Sequence, residues 1–137
     1  LLTIRKQLVD QIIKHALEEN PNECCGILTG NLNNALNIYR ISNTAKSPYR
    51  YLMDPQEFLL VDLESEKHGH EFVAFYHSHT HSPAFPSDTD VRMALQSGYL
   101  HVYYLLVSLE EKSNPDIRAY LIKDDGSISE QRLQINQ

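Results

Sequence analysis

The sequence has little cysteine, no excess of basic residues and no long apolar run, and each absence excludes a class of protein. Only two of the 137 residues are cysteines, Cys24 and Cys25, and they are adjacent. Neighbouring Cα atoms lie ~3.8 Å apart, which is shorter than the usual span of a disulfide, so two free thiols are expected. Free thiols are typical of a reducing compartment, and the sequence therefore favours a cytoplasmic protein.

Charge and hydropathy exclude two kinds of partner. The formal net charge is -6 at pH 7, whereas nonspecific binding to nucleic acid or to an anionic membrane needs a basic surface. No apolar run approaches the ~20 residues that a transmembrane helix requires. The first residues, Leu-Leu-Thr-Ile-Arg-Lys, contain no uninterrupted apolar core of the kind found in signal peptides. We therefore expect neither nucleic acid nor membrane as a partner.

What is present is the composition of an ordinary globular protein. Hydrophobic residues make up 42% and charged residues 22% of the chain, close to the average for folded domains. A chain of this length can bury roughly two-thirds of its unfolded surface in one core. No internal repeat, linker or change in composition divides it, so residues 1–137 are predicted to form a single domain.

Periodicity predicts three helices and six strands. Apolar residues recur on one helical face over residues 6–19, before Asn20 and Pro21 end the pattern. Asp54 and Pro55 are typical of an N-cap and a first helical residue. The predicted helices are residues 6–19, 55–67 and 87–96, and the predicted strands are residues 24–30, 35–42, 71–78, 100–109, 116–123 and 128–135. This mixture predicts an α/β (or α+β) fold with a central mixed sheet and about three helices.

The most informative segment holds alternating histidines followed by a serine and aspartates. His77 and His79 end a predicted strand, and alternate residues of a strand point to the same face. Two such imidazoles can bind one metal ion, and histidine is a common zinc ligand. Asp90, in the first turn of the next predicted helix, is the best candidate for a third ligand. Three protein ligands would leave one position open for water, as in catalytic zinc sites.

Two other interpretations of this segment stay open. Residues 87–90 also match a capping box with Ser87 as the N-cap, although Asp90 stands where Glu or Gln is usual. By alternation alone, His81 is a rival third ligand. It lies, however, in a proline-rich loop where the alternation of the strand is not expected to continue.

The spacing of these residues resembles that of a known family. The JAMM (MPN+) metalloproteases share the pattern His-x-His, seven residues, Ser-x-x-Asp, which here is His77, His79, Ser87 and Asp90. The family also has an upstream glutamate in a Pro-x-Glu-x-Cys-Gly context. The segment Pro-Asn-Glu-Cys-Cys-Gly supplies that glutamate as Glu23.

The resemblance implies a fold, a cofactor and roles for these residues. The fold would be the MPN/JAB (cytidine-deaminase-like) architecture, a curved mixed sheet flanked by about three helices. One Zn²⁺ per chain would be bound by His77, His79 and Asp90, while Glu23 would be the general base and Ser87 would stabilise the oxyanion. Without the resemblance, Glu23 would more simply be interpreted as a solvated acid between a helix and a strand.

The resemblance also implies a substrate class. Many family members have proline after the second histidine, where this chain has Thr80. The form His-Ser-His-Thr resembles the short bacterial members that process ubiquitin-like sulfur-carrier proteins. The chain is also too short for the inserted loops with which eukaryotic relatives grip ubiquitin chains. The implied activity is hydrolysis of the amide bond after the C-terminal Gly-Gly tail of such a carrier, for example in a carrier–cysteine adduct.

Several alternatives are weighed against this activity. His-x-His also opens the metal sites of amidohydrolases, some phosphoesterases and the metallo-β-lactamase fold, but the position of the pair and the residues after it do not match those families. A catalytically inactive MPN scaffold would have lost a ligand or the glutamate, and none is missing. A broad-specificity metallopeptidase stays open, as does a structural zinc site completed by Cys24 or Cys25.

Overall fold

Eight strands form one curved sheet, and three helices pack against it. The computed structural model describes residues 1–137. In chain order the elements are β1 (Leu2–Arg5), α1 (Lys6–Glu19), β2 (Cys25–Asn31), β3 (Asn34–Ile41), α2 (Pro55–Lys67), β4 (Glu71–His79), α3 (Asp88–Ser97), β5 (Tyr103–Ser108), β6 (Asp116–Ile122), β7 (Ile128–Gln131) and β8 (Leu133–Asn136). The predicted fold class is confirmed, and the three helices lie within one residue of their expected bounds.

The strand order brings the two sequence motifs together. The sheet is mixed, with the order β7-β6-β5-β4-β2-β3-β1-β8. β4 is an interior strand that runs antiparallel to β2 and parallel to β5. Because β2 and β4 are antiparallel, the start of β2 lies beside the end of β4, and Cys25 is directly opposite His77. The glutamate motif and the histidine motif therefore meet at one end of the sheet.

The C-terminal segment, residues 128–136, contributes the strands at both ends of the sheet. β7 pairs with β6 and β8 pairs with β1, yet only Arg132 separates β7 from β8. The Arg132 carbonyl accepts a hydrogen bond of 2.9 Å from the Leu2 N–H. The sheet must therefore curl until its two ends meet at this residue. The prediction of one strand over residues 128–135 is wrong, because the two halves of the segment pair with opposite ends of the sheet.

Helix α1 lies in the curve of the sheet. Its buried residues recur with helical spacing and are Leu8, Val9, Ile12, His15 and Ala16. Each large aliphatic side chain buried in this way contributes about 1.5–3 kcal/mol, so α1 is anchored by its apolar face. Leu17, although apolar, is 44% exposed. At 100° per residue it lies half a turn away from Leu8.

Helices α2 and α3 cover the opposite face of the sheet. The Asp54 side chain caps α2 by accepting hydrogen bonds from the Gln56 and Glu57 N–H groups. In α2, Val61 and Ser65 are the buried residues, whereas the apolar residues Leu59, Leu60 and Leu63 are exposed. The helix therefore packs through a narrower stripe than its composition suggests. None of the helices is both long and apolar enough to cross a membrane.

Candidate metal centre

The three predicted metal ligands lie together at the end of β4. The Asp90 Oδ2 atom is 3.1 Å from His77 Nε2 and 2.9 Å from His79 Nε2. The two Nε2 atoms are 3.2 Å apart. All three side chains are buried. The extended end of β4 places both imidazoles on one face, and the first turn of α3 brings the carboxylate to them.

The protonation of His79 fits a metal ligand. His79 Nδ1 lies 2.8 Å from the carbonyl oxygen of Pro83, and since a carbonyl can only accept, Nδ1 must carry the proton. In the neutral ring that binds a cation, Nε2 is then the nitrogen without a proton, and this atom faces Asp90 Oδ2 and His77 Nε2. This second hydrogen bond orients the ring in the manner typical of metal-binding histidines. Two imidazole nitrogens and one carboxylate oxygen form a donor set that suits Zn²⁺ and leaves a fourth position open.

The charges of the cluster oppose the effect of burial. Burial alone would raise the pKa of Asp90, but His77, His79 and the Ser87 N–H hold it well below its usual value. Burial alone would lower the pKa of His79, but the hydrogen bond and the charge of Asp90 raise it. A cation bound here would have to displace the proton that His79 gains in this environment. Metal affinity should therefore rise with pH.

Glu23 is buried beside this cluster, immediately before β2. Only 4% of the residue is exposed, and its Oε1 atom has no hydrogen-bond partner. Burial raises the pKa of Glu23 to about 8; the charge of His79 lowers it and that of Asp90 raises it further. Glu23 is therefore not a solvated acid. A carboxyl group with a pKa near neutrality suits proton transfer at physiological pH.

Hydrogen bonds fix the position of the Glu23 backbone. Its N–H donates to the Ser47 carbonyl at 2.9 Å, and its carbonyl accepts from Asn43 Nδ2 at 3.0 Å. On the next residue, the Cys24 N–H donates to Ser78 Oγ at 2.8 Å. Ser78 stands between the two histidines in the chain. One hydroxyl therefore links the general-base candidate to the strand that carries His77 and His79.

A close contact between Gly26 on β2 and Tyr76 on β4 also holds these two strands together near Glu23. A Cβ atom at Gly26 would lie 2.1 Å from Cε2 of Tyr76, so only glycine allows this ring to pack over β2. The Tyr76 hydroxyl lies 2.8 Å from His15 Nδ1 on α1. Gly26, the glycine of the upstream motif, thus allows α1, β2 and β4 to pack closely behind the candidate metal centre.

Ser87 caps helix α3 and keeps a free donor. Its Oγ accepts a hydrogen bond of 3.0 Å from the Asp90 N–H, and its own N–H donates to Asp90 Oδ2 at 3.0 Å. The capping-box interpretation is therefore correct in the structure. A capping role and the predicted oxyanion-stabilising role of Ser87 are compatible, because an oxygen that accepts from the Asp90 N–H can still donate its O–H to another group.

The loop between β3 and α2 contributes residues that sequence reasoning missed. The Tyr51 ring stacks on His77 with ring centroids 4.5 Å apart. Asn43 contacts Glu23, Arg50, Ala45 and Leu52 through its side chain. The sequence signals this only as a polar loop with two tyrosines, because no periodicity connects it to the site.

The remaining candidates lie outside the cluster. His81 is exposed, and its Nδ1 hydrogen-bonds with Thr80 Oγ1 rather than joining the other histidines. Cys24 and Cys25 are free and buried, and the Cys25 thiol faces the Ile41 carbonyl. No fourth His, Cys, Asp or Glu joins His77, His79 and Asp90. A closed structural zinc site with four protein ligands is therefore not built here.

The curved mixed sheet and the cluster of His77, His79 and Asp90 point to one class of protein, a hydrolase of the JAMM metalloprotease type. Comparison with known proteins agrees. The family model described as prokaryotic homologs of the JAB domain matches residues 5–123. The chain therefore belongs to this family, and the predicted resemblance is confirmed.

Curated relatives of the chain are named as enzymes. The CysO-cysteine peptidase of Mycobacterium tuberculosis is 33% identical over 137 residues, which cover 98% of this chain and 91% of the relative. The desampylase of Haloferax volcanii is 33% identical over 108 residues, covering 74% of this chain and 78% of the relative.

Solved structures show the same fold. A protein from Desulfitobacterium hafniense, known from a solution structure, has a TM-score of 0.89 and 31% identity, covering 100% of this chain and 94% of its own. A JAB1/MPN domain protein from Archaeoglobus fulgidus has a TM-score of 0.64 at 17% identity, covering 99% of this chain and 100% of its own. The second likeness supports the fold alone.

Proposed function

We propose that this hydrolase is a zinc-dependent peptidase acting on a ubiquitin-like sulfur-carrier protein. It would cut the amide bond after the C-terminal Gly-Gly tail, for example in a carrier–cysteine adduct. The observation that carries the proposal is the buried, unpartnered carboxyl group of Glu23 beside a three-ligand cluster. The substrate class is supported by the name of the CysO-cysteine peptidase, which aligns with nearly all of this chain.

The cluster would hold the metal, and Glu23 would move the proton. When bound to His77, His79 and Asp90, zinc lowers the pKa of a coordinated water to ~7 and polarises a carbonyl. Glu23 would take a proton from the attacking water as the new C–O bond forms at the Gly carbonyl carbon. It would return that proton to the leaving nitrogen as the C–N bond breaks. The products are the carrier with a free glycine carboxylate and the amine of cysteine.

Ser87 would act on the carbonyl oxygen. Its O–H is free to donate, and its position is fixed because Oγ also accepts from the Asp90 N–H. A hydroxyl held in this way can stabilise the charge that develops on the oxygen, and loss of a comparable donor elsewhere costs ~3–4 kcal/mol.

A Gly-Gly tail suits the surroundings of the cluster. β4 is paired on both sides, with β2 and β5, so a substrate strand cannot add to it. The tail would instead enter end-on, past the Tyr51 ring that covers one face of His77. Glycine allows the closest approach of backbone to a crowded site. The two free thiols support a cytoplasmic location for this reaction.

The first test of the proposal is the metal. Purified protein should contain close to one zinc ion per chain by elemental analysis, and His77→Ala should lose most of it. An exposed control, His101→Ala, should keep the wild-type content. Full retention of zinc in a variant that combines His77→Ala with His79→Ala would contradict the ligand assignment.

The second test is the substrate. A ubiquitin-like carrier with a Gly-Gly tail and one added C-terminal cysteine should lose that cysteine on incubation, as followed by mass spectrometry, and a chelator should stop the reaction. A carrier ending Ala-Ala-Cys is the matched control. Faster cleavage of unstructured peptides without Gly-Gly would favour a broad peptidase. Cleavage of Lys-linked isopeptides alone would assign deubiquitinase-like activity, and inertness towards every substrate would favour a scaffold.

A further inference from the structure

An apolar cavity lies between α2, α3 and the loop that precedes α2. Its volume is about 300 Å³, and Ser97 is the only lining residue that is not hydrophobic. The side chains that matter for the argument are Tyr51, Met53, Phe58, Phe75, Met93 and Tyr99. Four of these, Met53, Phe58, Met93 and Tyr99, are partly exposed, so the cavity is reached from solvent.

The apolar cavity adjoins the candidate metal centre. Phe75 precedes His77 by two residues on β4, so both side chains lie on the same face of the strand. Tyr51 lines the cavity and also stacks on His77 at 4.5 Å between ring centroids. A single aromatic ring therefore separates the cavity from the nearest ligand of the cluster.

We propose that the apolar cavity binds an apolar side chain of the substrate, the first one on the N-terminal side of the Gly-Gly. This inference rests on the proposed function. The His77 and Tyr51 ring centroids are 4.5 Å apart, and an extended chain that advances ~3.3 Å per residue passes beyond the Tyr51 ring in about two to three residues. Two glycines would span that distance without side chains, and the third residue would bring the first side chain to the cavity.

Size and chemistry select this occupant. The cavity is at the small end of the range for ligand sites, so it accommodates a side chain and not a folded segment. Its lining offers no charged partner, so burying a carboxylate or an ammonium group there would be costly. A leaving group of one cysteine is too short to reach the cavity from the other side of the cut bond. The glycines provide access to the metal, and the apolar residue provides selectivity.

The chain carries a built-in probe of this cavity. It contains only two methionines, Met53 and Met93, and both line the cavity. In zinc-loaded protein with ¹³C-methyl methionine, the peptide Ala-Ala-Leu-Gly-Gly should shift both methyl signals, whereas Ala-Ala-Asp-Gly-Gly should not. Unmoved signals with the leucine peptide, or equal shifts with both peptides, would overturn the proposal.

Cleavage provides the second measurement. A carrier–cysteine substrate with leucine before Gly-Gly should have a kcat/KM about 10- to 100-fold higher than one with aspartate, the scale expected for burying one large apolar side chain. Combining Met53→Ala with Met93→Ala should reduce this ratio several-fold. Leu63→Ala, on the exposed face of α2, should leave it unchanged.

The results separate this inference from the proposed function. If the carrier is cleaved equally well with leucine and with aspartate, the cavity does not select the substrate, and the proposed function stands. If the carrier is never cleaved but the leucine peptide still shifts both methionine signals, the cavity binds apolar side chains and the proposed function is wrong.

Discussion

At the scale of the residue, the candidate site combines one atom with many partners and two atoms with none. Asp90 Oδ2 contacts both imidazoles and the Ser87 N–H, whereas Glu23 Oε1 and His77 Nδ1 are buried without a partner. Buried polar atoms without partners are costly. Beside His77, His79 and Asp90 this cost is consistent with the proposed reaction, in which Glu23 needs a free carboxylate oxygen.

The proposed role of Glu23 can be separated from that of the proposed metal ligands. Glu23→Gln keeps the shape of the side chain but removes the proton acceptor, so turnover should fall by ~10²-fold or more. Zinc content and thermal stability should stay close to wild type, as measured by elemental analysis and thermal unfolding. Wild-type turnover in this variant would refute the mechanism, and loss of zinc would make Glu23 a ligand.

Ser78 is expected to position Glu23 through the Cys24 backbone. Ser78→Ala leaves the buried Cys24 N–H unpaired, which should lower the free energy of unfolding by about 1–3 kcal/mol. It should also reduce kcat with little change in KM or zinc content, and Ser78→Thr, which keeps the hydroxyl, should restore kcat. The matched control is Thr29→Val on β2. Thr29 Oγ1 is buried without a partner, so this variant removes a buried hydroxyl without breaking a hydrogen bond. Equal kcat in Ser78→Ala and wild type would exclude the positioning role.

At the scale of the element, the site depends on the packing of α1 behind β4. His15 is buried on α1, and its Nδ1 lies 2.8 Å from the Tyr76 hydroxyl. Burial, with a smaller effect of Arg40, lowers the pKa of His15 to about 4, although Glu18 opposes this. The neutral ring is therefore part of the packed structure, and its protonation would disturb the strand that carries His77.

This arrangement predicts a dependence of stability on pH. Between pH ~6.5 and 4, His15 binds a proton in the unfolded chain but not in the folded chain, so the free energy of unfolding falls as the pH falls. The loss reaches roughly 3 kcal/mol at pH 4, from about 1.4 kcal/mol per pKa unit. His15→Gln, which does not titrate, should remove this loss, and His101→Gln on the surface should not.

The His15→Gln variant must be compared with wild type because Glu23 changes the free energy of unfolding with pH in the opposite direction to His15. Its raised pKa makes the folded chain bind the extra proton, so its contribution falls as the pH rises from 4.5 towards 8. Urea unfolding at several pH values measures both effects together. Parallel curves for wild type and His15→Gln would show that His15 is not buried in its neutral form.

The helices and the grouping of His77, His79 and Asp90 could be predicted from the sequence, whereas the surroundings of this cluster could not. The bounds of α1 and α2 follow from Asn20–Pro21 and from Asp54–Pro55, and the cluster of His77, His79 and Asp90 follows from spacing. The stacking of Tyr51 and the four contacts of Asn43 depend on a loop that has no periodic pattern. The burial of Glu23 depends on β2 pairing with β4, which lie some fifty residues apart in the chain, and local propensity carries no information on such pairing.

At the scale of the whole molecule, the least predictable feature is the division of the last strand. Residues 128–135 alternate in the manner of one strand, and only the curvature of the complete sheet decides that Arg132 must separate two pairings. Both halves leave a short unpaired edge of four residues. Short edges limit association between sheets.

Removing β8 should therefore affect more than its own residues. A chain ending at Gln131 would lose the parallel pairing of β1 with β8, which at about 1 kcal/mol per backbone hydrogen bond amounts to roughly 2–4 kcal/mol. Urea unfolding should show this loss, and light scattering should show increased association through the uncovered β1. A chain lacking only Gln137 is the control. Unchanged stability and scattering after removal of β8 would show that closure of the sheet is unimportant.

The pairing of β1 with β8 also has a consequence during synthesis. Its partners, such as Leu2 and Leu133, are separated by nearly the whole sequence, and contacts of such separation form late because a long loop must close first. A small domain generally folds as a unit, so the sheet closes only after residues 133–136, near the end of the chain, have left the ribosome. His77, His79 and Asp90 emerge earlier, but β4 pairs with β5 as well as with β2. We therefore expect the complete candidate metal centre to form only after most of the chain has been synthesised.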